Sequence, residues 1–544
     1  MALKTAAPSN PGSIFFSDAR TCKEWLKSIP LTHVPQAQQI VLDALRMFNR
    51  APQIDPVERL TCVELMRDKS AFLFAEQRTR YAGKTIPLST AEYAAWNVSR
   101  NLIAEMEAGY RRCWQDAVGD AAELGDHAAL IIQRIIRYIG LQMLIAGFIY
   151  RRFDSALWMR LHLQWLEAES RGLTDKRVKD SVGSVDGNSS VLQAYTAVLF
   201  GQLGNIHELM PRQIDFVDAV LKRFGHKVTV SRDVPATPAV ATSASAQVCA
   251  VDLLANAGAG FPPAIALNEH TRVLDVSELS RSLRRRIKKL AEGDEPGGMD
   301  LPADWSTQDA RDQLLRLHQL WCEGGSARAP ATVPEEQDAI LSFGITETHF
   351  ILSGNMFEQP GVNRELTRQE LTDISMFGKV SDATIRAKYA DFNYGTETWR
   401  IIDESRGAFR VMRPANSPRG VAIGKLIGMK VNKHGAFYLG VIREISEETE
   451  GNITVTIAML PGKPQAVAVR AGDAAGRGNA SYTQGFRMPP MEALKISESL
   501  IIPSGIAHRG RGIDIYHPDH GSAKQVMLGD FVERGVDFDR VTIV

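Results

Sequence analysis

Between residues 35 and 226 apolar side chains recur at three- and four-residue spacing, the pattern of helices that bury one stripe. Asp55-Pro56-Val57-Glu58 has the form of a capping box with proline at the first helical position. Ser89-Thr-Ala-Glu92 is a second box and opens a long helix, on which Leu102, Met106, Gly109 and Cys113 share one stripe. Leu157, Met159, Leu161 and Trp165 face a core before Gly172, and Phe216, Val220 and Phe224 do so before Gly225. The stretch predicts an all-α bundle or irregular solenoid, and no fixed repeat period supports a true array.

The pattern then changes twice. Val234 to Ala246 is rich in Ala, Ser, Thr and Pro and reads as a linker. Beyond it, Val248 to Leu254 and Thr271 to Val276 read as strands, and helices follow from about Glu278 to Glu292 and Thr307 to Cys322. Ala339 to Ser353 is strand-like. From Trp399 onward short alternating segments punctuated by Gly and Pro predict a closed or nearly closed barrel with a strand extension: Phe437 to Ile445, Ile453 to Leu460, Ala466 to Val469, Leu494 to Ile502, Gly512 to Tyr516, Gln525 to Leu528 and Val541 to Val544. The expected class is multidomain α+β. Its parts are an N-terminal segment 1–34, a helical domain 35–230, a linker 231–246, a small α/β region 247–365, an antiparallel barrel 366–470 and a β extension 471–544.

Composition narrows the function. The 544 residues hold 63 Lys plus Arg against 63 Asp plus Glu, so no global field favours nucleic acid or a membrane surface. The five cysteines are scattered and form no CxxC pair, which argues against a disulfide framework or a zinc site and predicts a cytoplasmic protein. The most apolar segment, Leu130 to Tyr150, is interrupted by Gln133, Arg134, Arg137 and Gln142 and reads as a core helix, not a membrane span.

The candidate chemistry lies in Trp399-Arg-Ile-Ile-Asp-Glu-Ser-Arg-Gly-Ala-Phe-Arg410, a strand, a polar turn and a second strand. The turn resembles the Asp/Asn-x-Ser-x-x-Gly signature of the PilZ family of cyclic di-GMP receptors. Val421 to Gly428 and Tyr438 to Glu444 are similar to that family's later strands. The resemblance covers roughly residues 386–470. It implies a PilZ-like barrel that binds cyclic di-GMP through Asp403, Ser405, Gly407 and Arg410, with Arg386 and Lys388 supplying charge from the segment before the barrel. A guanidinium can pair with phosphate or grip a guanine edge, and a turn glycine lets the backbone approach. The chain departs from the family at two places. Arg386-Ala-Lys-Tyr-Ala390 has one arginine where the family has Arg-x-x-x-Arg, although Arg364-Glu-Leu-Thr-Arg368 keeps that spacing farther upstream. Ala408 stands in place of the last glycine.

The resemblance implies a cyclic di-GMP effector or adaptor that signals to a protein partner through its helical domain, with no cofactor and no metal. Two other readings remain open: a ligand-independent interaction scaffold, and an RNA-associated protein using the basic helix Arg281 to Lys289. Nucleic acid is disfavoured by the balanced charge and by the lack of aromatic residues among those cations. His517-Pro-Asp-His520 reads as a turn, and Gly258-Ala-Gly260 lacks the third glycine and the helix of a dinucleotide loop. His508-Arg-Gly-Arg-Gly512 reads as a β-turn. Walker A, G-x-S-x-G and H-E-x-x-H motifs are absent, so the sequence makes no positive case for an enzyme.

Overall fold

A computed structural model describes residues 14–119, 122–232, 249–261, 265, 268–325, 332, 338–361, 367–378, 380–381, 384, 395–405, 407–431, 435–447, 451–472, 481–517 and 522–544. The expected linker, Val234 to Ala246, lies outside them. Contacts divide the chain into two units, residues 1–327 and 328–544.

In the first unit come α1 (Ala19–Lys27), α2 (Val34–Arg50), α3 (Pro56–Arg78), α4 (Thr90–Val118), α5 (Ala128–Gly147) and α6 (Ala156–Ser170). The predicted caps form. Asp55 accepts from the Val57 and Glu58 amides, and Ser89 and Glu92 cap each other's backbones. Glu58 does not close the first box. It accepts from the Ala19 amide at 2.7 Å and so ties α3 to the start of α1. By length and composition the helix Gly125–Gly147 is apolar enough to cross a membrane. Protein covers it instead: Ile131, Ile132, Ile135, Ile136 and Ile139 are fully buried. Packing against α4 makes α5 the central helix of the unit.

A ribbon of β1 (Val178–Lys179) and β2 (Asn188–Ser189) leads to α7 (Val191–Leu203) and α8 (Pro211–Phe224). The middle region adds β3 (Thr229–Ser231), β4 (Cys249–Asp252) and β5 (Thr271–Asp275), an antiparallel sheet with β5 central, then α9 (Ser277–Ala291) and α10 (Thr307–Cys322). These elements dock on the helices. Trp321 donates its indole N–H to the Phe200 carbonyl at 2.9 Å, and Arg272 grips Glu169 with two bonds.

The second unit is two barrels. The first uses β6 (Asp338–Phe343), β7 (Glu397–Ser405), β8 (Ala408–Met412), β9 (Leu426–Val431), β10 (Tyr438–Glu447) and β11 (Ile453–Met459), closed in the order β6-β7-β8-β11-β10-β9. The apolar run from Ala339 to Ser353 is not one strand. Gly344, at φ +75°, ends β6, and α11 takes Gly344–Ser353. The helix α12 (Arg368–Phe377) precedes β7. The expected strand extension closes into a second barrel by taking the strand at Ala466 to Val469, which the sequence placed in the first barrel: β12 (Gln465–Ala471), β13 (Thr483–Met488), β14 (Ser499–Pro503), β15 (Gly512–His517), β16 (Ser522–Arg534) and β17 (Phe538–Ile543), in the order β12-β13-β14-β17-β16-β15.

The barrels share a core of Leu426, Leu439 and Val441 with Phe486, Ile501 and Phe538. The turn between β16 and β17 is their joint. Val536 donates to the Gly424 carbonyl at 2.9 Å, and Asp537 accepts from the Leu426 amide at 3.0 Å. A Cβ on Gly535 would strike the Phe538 ring and the Gly424 carbonyl. Gly535→Ala is therefore expected to cost about 1–3 kcal/mol by overpacking. Urea unfolding should show a lowered midpoint, and an unchanged midpoint would mean the joint is loosely packed.

Candidate ligand-binding site

The polar turn singled out by sequence is the β7–β8 hairpin. Ser405 faces Ala408, leaving a two-residue loop in which Gly407 takes φ +79°, a conformation that favours glycine. The Gly407 carbonyl accepts from the Met459 amide at 2.8 Å, which fixes the loop to β11. The ladder slips by one residue between Ile401 and Asp403. Before this bulge Ile401 pairs with Val411, both buried; after it Asp403 stands opposite Arg410. The bulge thus turns a buried apolar strand into one that presents a carboxylate outward.

Arg410 Nη2 and Asp403 Oδ2 are 2.5 Å apart. The next strand places Thr456 opposite Arg410, and Thr456 donates to Glu444 at 3.0 Å. Asp403, Arg410, Thr456 and Glu444 therefore form a polar row across four strands of the barrel's outer face, β7, β8, β11 and β10. The row holds one cation and two carboxylates. Arg410 keeps its Nε–H buried without an acceptor among the described residues, while its side chain as a whole is 37% exposed. The hairpin brings Asp403, Ser405, Gly407 and Arg410 onto two paired strands and their turn. Arg386 and Lys388, the charge expected from upstream, lie outside the described residues, as does Arg364. Arg368 begins α12.

Other sequence candidates have structural duties. On α9, Leu279, Leu283 and Leu290 are buried. Arg284, Lys288 and Lys289 each reach a nearby acid, and Arg286 stacks over Phe224 at 3.9 Å. Gly258 packs where a Cβ would meet Trp158, and Gly260 pairs with Ala250. Gly510, at φ +77°, turns the chain into β15, with Arg509 paired to Asp530. His517 ends β15, and Pro518 to His520 lie outside the described residues. Among the described residues no group of His, Cys, Asp and Glu is arranged to hold a metal.

One polar centre was not singled out from the sequence. Asp180, fully buried, accepts from Arg67, from Gln133 at 2.7 Å and from the Gly183 amide at 2.8 Å. Arg137 Nε lies 3.4 Å away and Arg134 Nη1 3.8 Å away. Arg134 also grips Glu64 with two bonds, at 2.8 and 2.9 Å, and Tyr110 donates to the same carboxylate. Burial pushes the Asp180 carboxyl up, but Arg137, Arg67 and Arg134 outweigh it and hold it at about 2. The signal was present: Gln133, Arg134 and Arg137 are the residues that interrupt the apolar run of α5.

Two stretches of the chain match family models. Residues 20–236 match the model described as the cyclic-di-GMP receptor FimW, N-terminal domain. Residues 467–544 match that of the FimW C-terminal beta-barrel domain, which is the second barrel. Each matched stretch is similar to the corresponding terminal domain described for that receptor. It is similar over nearly its whole length to the cyclic-di-GMP receptor FimW of Pseudomonas aeruginosa, at 21% identity over 578 residues covering 97% of this chain and 91% of the relative. Neither matched model is that of the PilZ family, and the β7–β8 hairpin lies between the two matched stretches. No solved structure matches the chain.

Proposed function

We propose that this protein is a cyclic di-GMP effector, not an enzyme, and that the nucleotide seats on the β7–β8 hairpin of the first barrel. The observation that carries the reading is the joint match of both terminal domains to a receptor named for that ligand, over nearly the full length of both chains. The hairpin supplies the chemistry. Arg410 offers donors to phosphate or to a guanine edge, Asp403 and Ser405 offer acceptors, and Gly407 opens the backbone. Arg386 and Lys388 complete the charge in this reading. The helical unit then serves as the face that meets a protein partner. A ligand shifts that face only through different affinities for two arrangements of the chain. The five cysteines, all buried and unpaired, agree with a reducing cytoplasm.

Calorimetric titration of the purified protein with cyclic di-GMP, with GTP as control, tests the reading. Saturable binding selective over GTP is expected. A second reading has its own support: Asp403 already neutralises Arg410, and Glu444 adds a second negative charge to the row. On that reading the barrel is a ligand-independent scaffold, and no heat would be seen at any temperature.

A further inference from the structure

We propose that the helical unit holds a second site, for a phosphate ester joined to an apolar body. Two adjoining cavities carry the inference. The larger, about 290 Å³, is walled mainly by apolar side chains of α3, α4, α5, α7 and α8, among them Phe74, Met106, Leu141 and Val198. The smaller, about 140 Å³, is polar, and Ser184, Asn188, Ser189 and Gln193 present hydrogen-bonding groups to it. Arg137 and Lys222 line both and mark their junction. Arg177 and His226 add to the rim of the smaller cavity.

Charge bookkeeping gives the polar cavity its preference. In the buried centre behind it, the three guanidinium groups of Arg67, Arg134 and Arg137 face the two carboxylates of Asp180 and Glu64. The acids that line the two cavities are engaged: Asp218 with Lys222 at 2.7 Å, Asp215 with Arg78 at 2.5 Å and Asp186 with Arg223 at 3.1 Å. Arg177 is exposed and makes no ion pair among the described residues. A buried excess of one positive charge is costly until an anion meets it. The smaller cavity is the size of one phosphate group and too small for a whole nucleotide. The apolar cavity beside it can take a flat or aliphatic body against Phe74 and Tyr138. A nucleoside phosphate and a lipid phosphate share this chemistry.

The test titrates the full chain with inorganic pyrophosphate, with GMP and with lysophosphatidate. The double variant Arg177→Ala/Lys222→Ala removes one rim cation and one partly exposed junction cation, whose surface pair with Asp218 adds little to stability, so circular dichroism should match the parent. We expect one of the two esters to bind saturably, pyrophosphate to compete, and the double variant to weaken binding roughly tenfold or more. GMP binding identifies a nucleotide source, lysophosphatidate binding a lipid source. Loss of cyclic di-GMP affinity in this variant but not in Arg410→Ala would also support the site, and would remove the nucleotide from the barrel. Absence of saturable ester binding, or affinity unchanged by the double variant, overturns the proposal whatever the hairpin variants do.

Discussion

Asp180→Ala is expected to destabilise the helical unit by roughly 3–5 kcal/mol, the cost of leaving buried cations without their counter-charge. Asp180 stands between α3 and α5 and is the acceptor on which Arg67, Arg137 and Gln133 converge. Its loss also frees the Gly183 amide and the loop between β1 and β2. Urea unfolding followed by far-UV circular dichroism should show the midpoint fall. The pH dependence is a sharper check. The folded carboxyl is held at about 2, below the ordinary 3.8. A depressed acid stabilises the fold above its unfolded value and loses that contribution as pH falls through the folded one. The contribution, about 2 kcal/mol from the size of the shift, is thus complete above pH 4 and fades toward pH 2. The gap between parent and variant should narrow over that window. A gap that stays constant would mean that packing at Asp180, rather than its charge, stabilises the unit.

Arg410→Ala is expected to weaken cyclic di-GMP binding by about 2 kcal/mol, roughly thirtyfold in Kd, with the fold intact. The side chain is partly exposed on the barrel's outer face, so its truncation leaves no cavity in the core. What it leaves is Asp403 without its ion-pair partner, a carboxylate facing an anionic ligand. The penalty should therefore exceed the loss of a single hydrogen bond, and added salt should reduce it. Arg386→Ala is expected to act in the same direction, from the charge assigned to that segment. Equal affinity in parent, Arg410→Ala and Arg386→Ala would remove the nucleotide from this hairpin. Asp403→Asn separates the two sides of the row: it removes the carboxylate that now occupies Arg410 while keeping the acceptor oxygen.

Local signals carried much of the fold. The caps at Asp55 and Ser89 fixed the starts of α3 and α4, because a cap depends on residues within one turn. The Asp403-to-Gly407 turn was readable for the same reason. Long-range closure was not. The alternation in Ala339 to Phe343 predicts a strand but not that it pairs with both β7 and β9 to complete the first barrel. The segments after residue 470 predict strands, but not that β12, expected in the first barrel, bonds to both β13 and β15 and closes a second one. The bulge at Ile402, which aims Asp403 at Arg410, depends on strand register that a single segment does not encode. The polar centre around Asp180 joins residues more than a hundred positions apart, Arg67 and Asp180 among them, so only the interruptions in α5 hinted at it.

Cyclic di-GMP seated on the β7–β8 hairpin would shield the amides beneath it. Amide hydrogen exchange across the whole chain, with and without saturating cyclic di-GMP, tests that seating most directly. Slowed exchange is expected in residues 399–412 and in the segment around Arg386, with GTP leaving both unchanged. Protection confined to the helical unit, or no protection anywhere, would contradict it.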